Sequence, residues 1–415
     1  MDQYPYSNEM GQGIPPQPPQ GCTPPAYPPQ PIVYPAQPGY QAYPAQPVYQ
    51  GQLNCPVQPA QYPPQPVQYP AQPVYYVPVA YPQTVYAPPF ALQQEKNPRV
   101  KQASKTLNRL CFVMLMQTAV GAIVSYLLMM LSVFRFNDVL YSDMGYQWLN
   151  TVLVPLSTAL PFLVYLKIGR KDVTDYLRFE KVGFFTALLC VLSGLALCLL
   201  GNYPAFAIQD FFSQFGYEPS SVISQSGHQT VPLFVLEMLS TAVLVPVMEE
   251  FAFRGVLLSA LRKHGAGFAI VASALVFAFA HGDFSNVVFA FFAGLVFGFL
   301  YVRTGNLWIS ICIHALNNGI AVLESYSGFL FGESAEVAIQ ELTMIIPIAL
   351  GMFALLLLLL FRRKALRRKE TDLSSREGVG VPALSVGEAA AATVRAPLFW
   401  VLFSSVVFYT ASLFS

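Results

Sequence analysis

The sequence predicts an all-α, polytopic membrane protein with about eight or nine transmembrane helices around a buried polar cavity, preceded by a disordered Pro/Tyr/Gln-rich tail. Hydrophobic residues make up 54% of the chain and charged residues only 11%, whereas about a quarter of the residues in soluble domains are charged. Apolar stretches long enough to cross a bilayer recur from about Leu110 onward. The net charge of +1 gives no indication of nucleic-acid binding, and we expect no nucleic-acid partner.

Residues 1–94 are predicted to be a disordered cytosolic tail. The unit Tyr-Pro-x-Gln-Pro recurs there, starting at Tyr27, Tyr34, Tyr43, Tyr62 and Tyr69. Proline at this density removes backbone donors and blocks helix and central strand, so we expect a flexible chain with polyproline-II character. The tail could be a spacer, could associate with itself through tyrosine, or could bind the aromatic-lined groove of a partner protein. The sequence leaves these three roles open.

A basic juxtamembrane segment, residues 95–109, separates the tail from the predicted spans. The spans are 110–134, 148–166, 182–200, 232–261, 266–281, 286–302, 307–324, 342–361 and 397–414. We divide them into N-terminal helices with a long loop (110–231), a core that carries most of the intramembrane charge (232–325), and C-terminal helices (326–415).

The connections that join these spans alternate between ones rich in lysine and arginine and ones poor in them. The connections 167–181, 262–263 and 362–369 are basic, whereas 201–231 and 325–341 contain neither residue. Because lysine and arginine favour the cytoplasmic side of a membrane, nine spans with a cytoplasmic N-terminus satisfy this alternation. The compact loops lead us to expect a bacterial plasma membrane.

Three charged residues, Glu249, Glu250 and Arg254, lie inside the fourth span. Charge at bilayer depth is costly unless it is paired, so it indicates a functional site. Glu250 and Arg254 are four positions apart and share a helical face on which they can pair; that pair is also open to a structural role in fixing two helices. Glu249 lies about 100° further round the helix and lacks this partner. It is therefore the candidate general base.

Two histidines and an asparagine lie in the apolar segments that follow. His281 ends the fifth span, and His314 and Asn318 share a face of the seventh. Each has an ordinary structural explanation as a cap or as a hydrogen bond between membrane helices, but together with the glutamates they predict one polar core. Counted from the cytoplasmic ends at about 1.5 Å per residue, Glu250, His314 and His281 lie about 18, 12 and 24 Å deep. Tilted spans are needed to bring them together.

In combination these residues resemble the CAAX protease and bacteriocin-processing (CPBP, or Abi) family of intramembrane endopeptidases, which includes the type II CAAX prenyl endopeptidases. The resemblance covers roughly residues 232–325. It rests on three motifs: Glu249-Glu250-x-x-x-Arg254, Phe277-x-x-x-His281 and His314-x-x-x-Asn318.

The resemblance implies a fold of about eight helices in which the motifs face a shared cavity, and a substrate that is a membrane-associated protein or peptide. It implies that Glu249 activates the attacking water with help from His281. It also implies that His314 and Asn318 stabilise the oxyanion, while Glu250 and Arg254 shape the site.

Zinc is possible, because the family is called metallopeptidase and Glu249, His281 and His314 are residue types that bind zinc. The separate helices of the two histidines and the lack of a His-Glu-x-x-His motif disfavour it. A non-proteolytic bacteriocin-immunity or scaffold protein of the same family is the main alternative. A proton-coupled transporter is disfavoured, because the first three spans carry no counterpart of the polar cluster.

Overall fold

The computed structural model describes residues 97–133, 143–217, 229–362 and 383–414. These residues form helices and, apart from two isolated bridges, no β-structure. The α-helices are α1 (Pro98–Val133), α2 (Asp143–Ile168), α3 (Val173–Tyr176), α4 (Phe184–Leu200), α5 (Asn202–Ser213), α6 (Val231–Leu239), α7 (Val245–Glu250), α8 (Ser259–Leu261), α9 (Ala266–Phe279), α10 (Phe284–Thr304), α11 (Leu307–Ser325), α12 (Ser327–Phe331), α13 (Glu333–Leu357), α14 (Val386–Val394) and α15 (Pro397–Ala411). The predicted tail, residues 1–94, lies outside the described residues.

The predicted fold class is confirmed. In the described chain, seven helical segments are long and apolar enough to cross a membrane, and an eighth results if the pair α14–α15, which is bent by 74°, is one span. Each of the nine predicted spans coincides with a helix. The fifth, α9, is a short apolar helix of 14 residues, so it is not long enough by itself to cross a bilayer of ordinary thickness. The protein is a multi-pass membrane protein.

The continuous helical segment Val231–His264, which we call the central span, is irregular where the charges lie. It begins with Thr230, whose hydroxyl accepts a hydrogen bond from the Leu233 amide, as an N-cap should. Two π-helical segments, Ser240–Leu244 and Phe251–Leu258, flank the six residues of α7. A π-helical turn changes the register of the side chains and is common at functional sites. Both glutamates therefore end α7, and Arg254 lies in the π segment that follows.

The turn between α9 and α10 carries His281 and is held from three directions. Gly282 has φ +89°, a value that glycine adopts without strain, and Asp283 caps α10 through the amides of Ser285 and Asn286. The Tyr217 hydroxyl donates to Asp283 Oδ1 at 2.6 Å. Burial and this carboxylate raise the pKa of Tyr217 to about 12, so the hydroxyl remains a donor at physiological pH. From the C-terminal helix α15, Thr410 Oγ1 accepts from the amide of Phe284 at 2.9 Å.

The basic connections contact one another, and the connections that are poor in lysine and arginine meet elsewhere. Among the basic connections, Glu180 N donates to Gly305 O, in the connection that follows Arg303, and Leu384 N donates to His264 O. Contacts among the others are Gln229 Nε2 to Ser325 O and the bridge between Tyr217 and Phe414. The fold therefore groups the described connections as the charge alternation requires. The orientation with the N-terminus in the cytoplasm stays a prediction.

Candidate active site

Glu250 makes two short contacts, one within the central span and one that joins this span to α11. Its Oε1 accepts from Arg254 Nη1 at 2.8 Å and lies 3.0 Å from His314 Nδ1. The side chains of Glu250 and Arg254 are 0% and 1% exposed, so the predicted pair is confirmed and is fully buried. Since a carboxylate can only accept, Nδ1 of His314 must carry the hydrogen. The other ring nitrogen, Nε2, takes no part in this contact with Glu250.

Glu249 is the more accessible of the two glutamates and lies on the other side of the same imidazole. Its side chain is 20% exposed, and its Oε2 is 3.7 Å from His314 Nε2. That separation exceeds hydrogen-bond distance, so the two atoms are neighbours without being bonded to each other. His314 thus lies between a buried carboxylate that fixes its orientation and an accessible carboxylate that does not.

Two phenylalanines enclose the cationic part of the cluster. Arg254 Cζ lies 4.2 Å from the ring centre of Phe277 and 4.9 Å from that of Phe297, within the range of cation–π attraction. The His314 ring stacks on Phe297 at 5.1 Å, and the His281 ring meets Phe277 edge-on at 4.6 Å. These rings hold the guanidinium and both imidazoles in fixed positions.

His281 has a second fixed contact, because its Nδ1 lies 2.9 Å from the backbone oxygen of Phe277. A carbonyl oxygen can only accept, so Nδ1 donates and Nε2 carries the lone pair in the neutral ring. The ring of Phe277 also meets that of His314 edge-on at 5.9 Å, and Ala280, the residue before His281, lines the same cavity as Glu249. The predicted group of glutamates and histidines is therefore brought together from the central span, α11 and the turn after α9.

Asn318 is placed differently from the other motif residues. Its Nδ2 donates to the backbone oxygen of Thr241 at 3.0 Å, and its Oδ1 accepts from Asn317 at 3.4 Å. One of its two amide hydrogens is thus used to tie α11 to the first π-helical segment, and one remains for another acceptor. The predicted role as an oxyanion donor depends on that second hydrogen.

A cavity of about 290 Å³ lies beside Glu249. The residues that line it come from α1, α2, the central span and the residue before His281. They are Gln117, Gly121, Val124, Ser125, Asn150, Leu153, Val154, Ser157, Thr158, Glu249, Phe253 and Ala280. Of the first three predicted spans, α1 and α2 line the cavity, whereas α4 packs against α10, α11 and α13.

Comparison with known proteins identifies the segment that carries these residues. Residues 231–320 match the family model described as type II CAAX prenyl endopeptidase Rce1-like. A putative membrane peptidase YdiL of Bacillus subtilis is 24% identical over 195 residues, which are 46% of this chain and 78% of that protein. The membrane-embedded CAAX protease MroQ of Staphylococcus aureus is 35% identical over 100 residues, 22% of this chain and 39% of that protein. Residues 231–320 form a domain of the CPBP family.

The CPBP domain contains all the predicted site residues, whereas α1 and α2, which supply most of the cavity wall, lie outside it. No solved structure matches the chain.

The CPBP domain does not arrange Glu249, His281 and His314 as a metal site. In the described part of the chain, no three His, Cys, Asp or Glu side chains form a group that could hold a metal ion. Each histidine has one ring nitrogen engaged by an oxygen of the protein, an arrangement that metal-binding histidines also have, and Nε2 of His314 lies 3.7 Å from Oε2 of Glu249. The residue types suit zinc, but their present positions do not.

Sequence reasoning missed two parts of the site, one inside the CPBP domain and one outside it. Phe297 and Gly294, whose carbonyl accepts from Arg254 Nη2 at 3.5 Å, lie in α10, an apolar helix whose pattern gives no sign of a site. It also missed the polar residues of α1 and α2 that face Glu249. The presence of glutamine and asparagine in membrane spans was the available signal.

Proposed function

We propose that this protein is an intramembrane endopeptidase that hydrolyses a peptide bond of a membrane-associated protein or peptide by means of a water activated by Glu249. The family supports protease activity in general, and the finer assignment rests on one observation. Glu249 lies 3.7 Å from His314, is partly exposed where Glu250, Arg254 and His314 are buried, and lines a cavity. A general base needs that access to its reacting proton.

In the proposed reaction, Glu249 takes a proton from a water whose oxygen attacks the scissile carbonyl carbon. The lone pair on Nε2 of His281 accepts from the same water and orients it. The carbonyl oxygen becomes an oxyanion, the carbon–nitrogen bond then breaks, and the proton held by Glu249 passes to the departing amine. This sequence needs no serine or cysteine nucleophile.

The oxyanion needs hydrogen-bond donors, which contribute about 3–4 kcal/mol each in soluble proteases. His314 can donate from Nε2 while Nδ1 donates to Glu250 if its ring takes up a second proton from solvent before the reaction and keeps it throughout. The remaining amide hydrogen of Asn318 is the second candidate donor. Glu250 and Arg254 act as positioning residues, because their contacts fix the ring of His314.

The two bacterial relatives support the proposal of a bacterial plasma membrane, and the charge alternation supports a cytoplasmic N-terminus. We also propose that the substrate is a membrane-associated protein or peptide, that the surroundings are a lipid bilayer, and that a partner protein binds the tail. The proposed substrates are not limited to prenylated proteins, since the residues that line the cavity are not specific for an isoprenoid.

The test compares the membrane peptidomes of cells that express the wild type, Glu249→Gln or Glu324→Gln. Glu324 is the control, because it is a glutamate at the end of a membrane span that contacts Thr343 and does not line the cavity. We expect cleavage products that vanish with Glu249→Gln and persist with the control. Identical peptidomes, together with bacteriocin or stress resistance that survives Glu249→Gln, would contradict the proposal and favour the immunity or scaffold alternative.

A further inference from the structure

The cavity beside Glu249 has a polar wall made of Gln117, Asn150, Ser157 and Thr158, supplied by α1 and α2. We propose that this wall binds the backbone of the substrate, so that an unwound segment of polypeptide lies along α1 and α2 in the cavity with its scissile bond at Glu249. The inference rests on the proposed endopeptidase function. It assigns a specificity role to helices outside the segment that matches the family model.

Gln117 gives the first reason. Its Oε1 is buried, and no described residue donates a hydrogen bond to it. An unpaired amide oxygen in a low-dielectric cavity costs free energy, and an apolar residue in this membrane helix would avoid that cost. An amide side chain offers both a donor group and an acceptor, which are the complements of a peptide group.

The hydroxyls of Ser157 and Thr158 add acceptors to the same wall. Both donate to the backbone oxygen of Val154, at 2.8 and 3.2 Å, so their hydrogens are used and their lone pairs remain. Acceptors of this kind bind N–H groups. A helical substrate offers few N–H groups, because its backbone donors are satisfied internally. The wall therefore fits an extended segment.

The charges of the lining argue against a lipid headgroup as the occupant. Among the described residues that line the cavity, Glu249 is the one charged group, and lysine and arginine are absent. A phosphate would meet repulsion there without a compensating cation. The volume of about 290 Å³ is at the small end of ligand pockets, which favours small side chains next to the scissile bond.

The experiment uses a synthetic peptide that spans a Glu249-dependent cleavage site found by the peptidome comparison. The substitutions Gln117→Met and Asn150→Leu remove the amides at nearly constant volume. Thr118→Val and Thr151→Val are matched controls, because each hydroxyl is bonded to its own helix and neither residue lines the cavity. Purified full-length variants in bilayer mimics are compared for kcat, KM and thermal unfolding.

We expect Gln117→Met and Asn150→Leu each to raise KM about tenfold, the effect of one lost hydrogen bond, with unfolding temperatures close to those of the controls. A scan of N-methylated peptides supplies a second readout. One N-methyl group near the scissile bond should raise the KM of the wild type about tenfold. It should hardly raise the KM of Gln117→Met further, because the substitution and the N-methyl group remove the same hydrogen bond. If Gln117→Met does not fold, Asn150→Leu carries the test.

An unchanged KM in folded variants overturns this inference and leaves the proposed function intact. A lower kcat with no coupling to N-methylation overturns it too, and indicates that the wall orders water for Glu249. The absence of any Glu249-dependent product removes the proposed function and this inference with it.

Discussion

His314 is the residue on which both glutamates converge, and its two ring nitrogens distinguish them. Glu250 fixes Nδ1 at 3.0 Å, and Glu249 faces Nε2 at 3.7 Å. Neighbours in the sequence therefore have different environments: one is fully buried and paired with Arg254, and the other is open to the cavity. Chemical function and structural support can be assigned to separate carboxylates.

Glu249→Gln and Glu250→Gln should separate these roles. We expect Glu249→Gln to abolish cleavage while thermal stability in detergent stays near wild type. Glu250→Gln should abolish cleavage and also lower the unfolding temperature, because an unpaired buried arginine costs about 3–5 kcal/mol. Thermal unfolding monitored by fluorescence measures the difference. Equal unfolding temperatures for the two variants would refute this division of roles.

Phe297 supports the cluster from a helix that carries none of its charges. It stacks on His314 and contacts Arg254. Phe297→Leu keeps most of the apolar volume but removes the flat ring, with a loss of about 1–2 kcal/mol of cation–π and stacking energy. We expect kcat to fall about tenfold if that loss is felt in the transition state.

Phe292→Leu is the matched control for Phe297→Leu, since Phe292 lies on the same helix with 40% of its surface exposed. It should leave kcat unchanged. A wild-type kcat for Phe297→Leu would show that the aromatic contact does not position His314.

At the scale of elements, the turn after α9 positions His281 through partners distant in sequence. Tyr217, which follows α5, donates a hydrogen bond to Asp283 at 2.6 Å. The hydroxyl of Thr410 in α15 accepts a hydrogen bond from the amide of Phe284. Short α9 ends at this turn instead of continuing, which places the imidazole inside the protein. The C-terminal helix is thus connected to the site without contributing a side chain to it.

Tyr217→Phe should loosen this turn. It removes a hydrogen bond to a carboxylate, worth about 1.5–3 kcal/mol, while Asp283 still accepts from the amides of Ser285 and Asn286. We expect a lower kcat with KM nearly unchanged, measured on the Glu249-dependent peptide. Tyr203→Phe, an exposed position on α5, should have no effect; equal effects of the two substitutions would contradict a positioning role.

At the scale of the molecule, the described connections fall into two groups that match the charge alternation. Asp172 lies in a basic connection and Gln214 follows α5 on the other side, and both are exposed. In a cysteine-free background, Gln214→Cys should react with a membrane-impermeant thiol reagent in intact cells, and Asp172→Cys only after lysis. The positive-inside rule is the reason. The reverse labelling pattern would overturn the predicted orientation.

The sequence alone determined the class of protein, the helices and the identity of the clustered residues. These follow from local properties: apolar length specifies spans, and a charge inside a span has few explanations other than a site. Glu250 and Arg254 could be paired from their spacing, because four residues make one helical turn. Motif order on separate spans was enough to name the family.

Only the tertiary structure decided how the spans meet. Depths counted along straight helices separate Glu250 from His314 by about 6 Å, yet the two side chains are in contact. Depth along the sequence is not depth in the fold, because π-helical segments interrupt the central span. Helix packing, which no local pattern encodes, also decides two other contacts. It makes Thr241 the partner of Asn318, and it places Gln117 in the same cavity lining as Glu249.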